Sequence, residues 1–250
     1  MSVPVSRRQR LREELTADIK EVALKQLAQD GPQAITLRGI ARELAISPAA
    51  IYSYFASLDD LYSTLIADGF NELAQQVEDA IAHYSDRSHQ DRMLAGLLAY
   101  RLWAVEHPEL FRLLYFSPIP GYEAPPDGPT LDANLRVSAA FLALLVDAWQ
   151  TGVGPELFSG PYVDSHKFQD RFDLEITSDQ LRTSVSCWGQ FHGLVCLEVG
   201  GHINAQWTDP AELYETSMRA MLRRADQSEA SADVTTANVA AALAQRERIR

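Results

Sequence analysis

Thr36 and Ser47 are both helix-starting side chains, and they stand so close in the chain that the fold between them has few solutions. A hydroxyl oxygen just before a helix accepts from one of its unpaired N–H groups. Pro48 fits the first turn after Ser47 because its missing N–H is not needed there. Leu37, Ile40, Ala41 and Leu44 fall on one face of the helix that Thr36 opens, and only Ala45 to Ser47 separate it from the next. Two short helices joined this tightly cannot turn back antiparallel; they cross steeply, in the geometry of a helix-turn-helix. A longer helix from about Arg10 to Gln29, with Leu15, Ile19, Val22, Ala23, Leu27 and Ala28 in one stripe, supplies the third side of a small core. The Asp-Gly-Pro at 30–32 ends it.

In the helix after Ser47, Ile51 and Phe55 share the core-facing side, with Ala50 at its edge. Tyr52, Ser53 and Tyr54 are predicted to project away from the core, and Ser47, Pro48 and Ala49 leave a slim first turn. A helix with a narrow, small-residue tip fits the major groove of DNA, where its first turns meet base edges. Tyrosine hydroxyls and helix N–H groups can bond the phosphates alongside. The same two tyrosines also suit a structural helix half-buried at a domain seam. Ser57 opens a fourth helix with Asp60 as its capping-box partner, and Leu58, Leu61, Leu65, Ile66, Phe70 and Leu73 carry the apolar stripe onward.

Helical periodicity persists beyond this point and no alternating strand pattern competes, so the spacing predicts an all-α protein. A three-helix DNA-binding domain at 1–60 is expected to precede a larger helical bundle at 61–226. Helices are expected at roughly 90–106, 109–116 and 131–150, with a loop at 117–129 and irregular structure from Gly152 to Ile176. Thr177 with Gln180 makes a further capping box that opens an apolar helix to about His202, a helix whose all-round apolarity predicts cover on several sides. Asp209 and Pro210 open a last helix to about Arg224, and residues 227–250 read as a polar tail outside the fold.

A net charge of −12 on 250 residues argues, taken alone, against nucleic acid as a partner. The charge is unevenly spread, however: residues 1–55 hold eight Lys and Arg against six acids, and the remainder holds 14 basic and 28 acidic residues. The acidity therefore belongs to the larger C-terminal part. Two cysteines are too few for a disulfide framework, the N-terminus lacks an apolar leader, and no apolar run approaches the ~18 residues of a membrane span. A soluble, cytoplasmic protein is the expectation.

The stretch ITLRGIARELAISPAAIYSYFASLDDLY, 35–62, resembles the DNA-binding domain of the TetR family of bacterial transcriptional regulators. The shared pattern is a Thr-led second helix, an Ile-Ala-x-x-Leu core, a Ser-Pro turn, and Tyr-x-x-Phe followed by a capped acidic turn and Leu; it extends over about residues 10–65. The resemblance implies phosphate contacts for Thr36 and Tyr52, with Tyr54 at the position where the family most often has a histidine in that role. It implies base-facing positions for Arg38, Ser47, Pro48, Ala49, Ala50 and Ser53. Leu58 stands where the family usually has a lysine, which removes one phosphate contact and lowers the salt dependence of binding by about one unit of slope. Arg7, Arg8, Arg10 and Arg12 are expected either to compensate as a flexible basic arm or to form a solvated tail.

Trp188, His192 and Gly193, as Trp-x-x-x-His-Gly, resemble the C-terminal domain type named for Trp, His and Gly in some TetR-like regulators. Such regulators dimerise through their last two long helices, here 178–202 and the one carrying Leu213, Met218, Met221 and Leu222. The resemblance thus implies a homodimer that reads a palindromic double-stranded operator with recognition helices about 34–36 Å apart, and more often a repressor than an activator. Trp103, Tyr115, Phe116, Phe141, Trp149, Trp188 and His192 are the candidate lining of a cavity for a small, partly apolar effector, although ordinary core uses the same side chains. No catalytic or cofactor-binding motif occurs, so neither enzymatic activity nor a cofactor is expected. A helical enzyme and a sequence-independent DNA-binding protein are the alternatives. Cys187, Cys196, Glu198 and His202 share a helix but match no zinc spacing, so no metal is expected.

Overall fold

The computed structural model describes residues 6–31, 35–116, 119, 121–126, 128–152, 154, 157, 159–160, 175–203, 209–226 and 231–248. Most of the segment predicted to be irregular between 152 and 176 lies outside the described residues. Within them run ten helices and no strand: α1 (Arg7–Asp30), α2 (Leu37–Glu43), α3 (Pro48–Ile51), α4 (Leu58–His83), α5 (His89–Glu106), α6 (Pro108–Tyr115), α7 (Pro129–Gln150), α8 (Ser178–Val199), α9 (Pro210–Asp226) and α10 (Thr236–Glu247). They form two compact units, Met1–Phe70 with Glu109–Ala133, and Asn71–Pro108 with Asn134–Arg250. The division falls inside α4, and α6 with the residues after it packs into the first unit.

In the first unit the predicted stripe of α1 buries Ile19, Ala23 and Leu27, and the helix ends where Gly31 turns to φ 78° and donates to the Leu27 carbonyl at 3.0 Å. Thr36 and Ser47 cap α2 and α3 as the sequence requires. Ile35, Leu37, Ile40, Ala41, Ile51 and Phe55 join α1 in one core, closed by Leu61, Tyr62 and Leu65 of α4. Each such side chain contributes about 1.5–3 kcal/mol on leaving water. The described residues of the predicted 117–129 loop that precede α7 carry no helix or strand, and Ile119 is buried in this core while Tyr122 lies edge-on to Tyr62 at 5.9 Å, its hydroxyl 2.9 Å from Ser63 Oγ. At the start of α4, Ser57 Oγ accepts from Asp60 N–H as expected. The Asp60 carboxylate reaches back to Ala56 N–H at 3.0 Å, one residue before the capping-box position.

In the second unit α5 is central: nearly every residue from Gln90 to Ala104 is buried, and the helix packs on α8, α9 and α10. A Cβ at Gly96 would lie 3.0 Å from Ile81 and 3.1 Å from Phe141, so only glycine allows α4 and α7 to approach α5 this closely. Between α5 and α8, Arg101 holds Glu198 with two parallel bonds of 2.8 and 2.5 Å, with both side chains largely buried and the Tyr214 ring 6.0 Å from the guanidinium. The capping box of Thr177 and Gln180 at the start of α8 is formed as predicted. Within the single chain α8 buries Leu181, Thr183, Phe191, Val195 and Val199, while Val185, Trp188 and Leu197 stay exposed, so its own chain supplies only part of the cover expected for it. Its apolar residues are thus shared between a core face and an open one.

The polar tail predicted for 227–250 is instead folded over 231–248. Val234 and Val239 are fully buried, and Thr235 caps α10 by accepting from Asn238 N–H at 3.2 Å. Asp91 of α5, itself buried, accepts from Ser231 N–H at 2.6 Å and Ser231 Oγ–H at 2.9 Å. Glu215 accepts from both the N–H and the hydroxyl of Thr236 at 3.0 Å, and Arg246 reaches Asp79 at 2.9 Å. The many polar residues of this segment serve as clasps, which composition alone does not distinguish from solvation.

Candidate DNA interface

The α2–α3 stretch carries the predicted contact residues on a short piece of chain anchored from beneath by Ile40, Ile51 and Phe55. Thr36 Oγ1 accepts from Gly39 N–H at 3.0 Å and Ser47 Oγ from Ala50 N–H at 3.1 Å, so each hydroxyl keeps its own hydrogen to donate. Ser53 is reversed: its hydroxyl donates to the Ala50 carbonyl at 2.7 Å and retains acceptor capacity. Arg38, Pro48 and Ala49 are exposed and Ala50 is half-buried. The regular part of α3 is a single turn, extended to Phe55 by bonds from the Tyr54 and Phe55 N–H groups to the Ile51 carbonyl.

The two tyrosines take different places. Tyr52 is 49% exposed, whereas Tyr54 is half-buried against the core and lies under the Arg12 guanidinium, 5.5 Å from its ring centre. The expectation that both project away from the core therefore holds for Tyr52 alone. The expected flexible basic arm is helical from Arg7, with Ser6 accepting from Gln9 N–H. Lys20 and Lys25 are paired with Asp68 and Glu43 at 2.9 Å each, and the Lys25 and Gln26 hydrogen bonds hold the Glu43 carboxyl below its ordinary range. Among the described residues Arg7, Arg8, Arg10, Arg12, Arg38 and Arg42 make no ion pair, and all of these but Arg12, whose guanidinium engages Ser53 and Tyr54, are left open to phosphate. Leu58 packs partly against the core at the start of α4.

The candidate effector residues separate by unit. In the first, Tyr115 lies against Phe70 and Phe111, and Phe116 is exposed. In the second, Trp149 packs with Leu142, Val146, Ile176 and Leu181 as core. Phe141, Trp188 and His192 belong to one connected group that the sequence reading did not complete: Tyr100 bonds His192 Nδ1 at 2.8 Å, and the Tyr100 and Phe141 rings meet Phe191. Trp188 stacks on His192 at 4.9 Å. Burial pushes the His192 imidazole down to about 4, so it is neutral near pH 7. Trp103 is fully buried and its indole N–H has no hydrogen-bond partner. No local sequence pattern joins Tyr100 to this group, since Tyr100 and His192 are 92 residues apart.

Residues 19–65 match the family described as bacterial regulatory proteins, tetR family, and residues 93–221 match the tetracyclin repressor-like C-terminal domain. The chain is also 32% identical over 226 residues to the HTH-type transcriptional regulator Rv1816 of Mycobacterium tuberculosis, an overlap of 87% of this chain and 95% of the relative. This chain belongs to the TetR family. The regulator Mb1846 of Mycobacterium bovis matches to the same extent. The crystal structure of SCO4313 agrees at a TM-score of 0.68 with 30% identity, over 87% of this chain and 99% of that one. A Rhodococcus sp. RHA1 protein described as of unknown function shares the fold at a TM-score of 0.65 and 23% identity, over 85% of this chain and 96% of its own. As a TetR-family member the chain is a DNA-binding transcriptional regulator and not an enzyme. Among the described residues no helix is long and apolar enough to cross a membrane.

Proposed function

We propose that this TetR-family regulator is a homodimeric, cytoplasmic repressor that binds a palindromic operator through α2 and α3 and releases it when a small, partly apolar effector binds. The observation that carries the reading is the exposure of Thr36, Arg38, Ser47, Ala49 and Tyr52 on one short, core-anchored stretch. Donors that keep a free hydrogen suit phosphate, and a small-residue turn suits a groove. The exposed apolar residues of α8 support a second copy as their cover, since exposed apolar surface marks sites of association. The buried, unpartnered Trp103 N–H supports an effector that offers a hydrogen-bond acceptor.

Selection of binding sites from a random DNA pool tests the reading, followed by binding with Tyr52→Ala and Ala49→Arg. A two-fold-symmetric consensus, lost in both variants, is expected. Recovery of no sequence at low salt would overturn it. An effector found by screening must weaken operator binding by the same factor by which operator weakens effector binding.

A further inference from the structure

The buried stripe of α1 does not stop where its apolar residues do. Leu27, Ala23 and Ile19 descend along one face to half-buried Leu15, and the next position on that face is Arg12. Its guanidinium crosses to the end of α3: Nη2 donates to the Ser53 carbonyl at 3.1 Å, and the carbon of the group sits 5.5 Å from the centre of the Tyr54 ring. Two independent contacts, a hydrogen bond and a cation over an aromatic face, thus join residues 41 apart in the chain.

A four-residue helix has no means of holding its own far end. The near end of α3 is fixed by Ser47 and Pro48, and Ile51 and Phe55 are buried beneath. Between these anchors, the Ala50 carbonyl accepts from Ser53 N–H and Oγ–H, and the Ile51 carbonyl from Tyr54 and Phe55 N–H, all within the same turn. Among the described residues, the bond from Arg12 is the one side-chain hydrogen bond that reaches Pro48–Tyr54 from another element. A guanidinium on the last carbonyls of a helical turn is also well placed for the negative end of their dipoles. No carboxylate among the described residues pairs with Arg12.

We propose that Arg12 is the positioning residue of the recognition segment: by holding the Ser53 carbonyl and the Tyr54 ring it fixes the direction in which Tyr52 and Ser53 meet DNA. This rests on the reading of Pro48–Tyr54 as the DNA-contacting segment. Side chains that discriminate bases need support tighter than a single exposed turn supplies, and the clamp provides it from α1. The competing role, a direct phosphate contact, makes different demands on salt and sequence.

The test measures affinity for the selected operator and for a random duplex across a salt series, in the full chain. With Arg12→Ala, operator affinity is expected to fall about tenfold, while random-duplex affinity and the slope against log salt stay unchanged. Arg12→Lys restores most of the loss, because a lysine keeps a cation and a donor. Arg12→Met, which keeps the stem and removes the charge, matches the alanine variant and covers the case in which alanine unfolds the unit. The double variant Arg12→Ala with Tyr54→Leu is expected to lose less operator affinity than the sum of the two single variants, because each alone already breaks the contact they share. Equal losses on both duplexes with a slope lower by about 0.9 would make Arg12 a phosphate contact and overturn the proposal. Additive losses in the double variant, or wild-type discrimination in Arg12→Met, would overturn it as well. Tyr52→Ala separates the two levels: if that variant binds operator normally, the reading of the segment itself fails; if it does not and Arg12→Met is silent, only the clamp fails.

Discussion

Ala45 holds a backbone angle that its own side chain resists. Its φ of 54° lies in the left-handed region, where a Cβ crowds the backbone at a cost of about 1–2 kcal/mol. The angle is demanded by two bonds that close α2, from Ile46 N–H to the Ala41 carbonyl at 3.0 Å and from Ala45 N–H to the Arg42 carbonyl at 3.2 Å. These bonds also set where α3 begins, so they hold the turn beneath the candidate DNA contacts despite the strain. Ala45→Gly relieves the crowding while enlarging the freedom of the unfolded chain, so a net gain of about 0.5–1 kcal/mol is expected. Chemical denaturation would show it as a higher midpoint at unchanged slope; a lower midpoint would mean that the alanine methyl contributes to the turn.

The C-terminal segment makes the corresponding point for a whole element. Its attachment depends on acceptors supplied by other helices, above all Asp91 of α5 and Glu215 of α9. Asp91→Ala leaves the Ser231 N–H and hydroxyl without their acceptor, at about 2–3 kcal/mol. Hydrogen exchange should then quicken over 236–247 while α5 stays protected; equal exchange in both would disprove a separate role for the clasp. The caps of Thr36, Ser47 and Thr177 were legible in the sequence because each is a bond across three residues. The clasps were not, because a serine that bonds an aspartate 140 residues away reads like any solvated serine. The same distinction explains why the helix-turn-helix was legible as a local pattern, whereas Tyr100, the partner of His192, was not. It also explains Ile119 and Tyr122, whose burial is decided by α4 and not by their loop-like neighbours.

At the scale of the molecule, the proposed dimer gives the open face of α8 a role to test. A Cβ at Gly189 or Gly193 would meet nothing within 4 Å, and Val185 and Leu197, in the same row of residues four apart, are exposed. Gly189→Glu places a charge within that row, and sedimentation should report a monomer at concentrations where the parent chain is expected to be dimeric. Because the second half-site is then no longer tethered, operator affinity is expected to fall by roughly 10²–10⁴. A dimer that persists in Gly189→Glu would move the interface elsewhere. The uneven charge of the sequence gives DNA the less acidic of the two parts, a feature visible before any fold was known.

The buried pair of Arg101 and Glu198 has a consequence for how such a chain can diverge. Replacing either member alone strands a charge out of water, at about 3–5 kcal/mol, a large fraction of what holds a domain together. Replacing both at once with apolar residues of similar volume is close to neutral. Arg101→Met and Glu198→Leu should each melt the second unit early, and the double variant should melt near the parent. Descendants of this sequence can therefore lose the pair only by a route that passes through a poorly folded ancestor or takes two steps together, so it persists as a historical lock whether or not it adds stability.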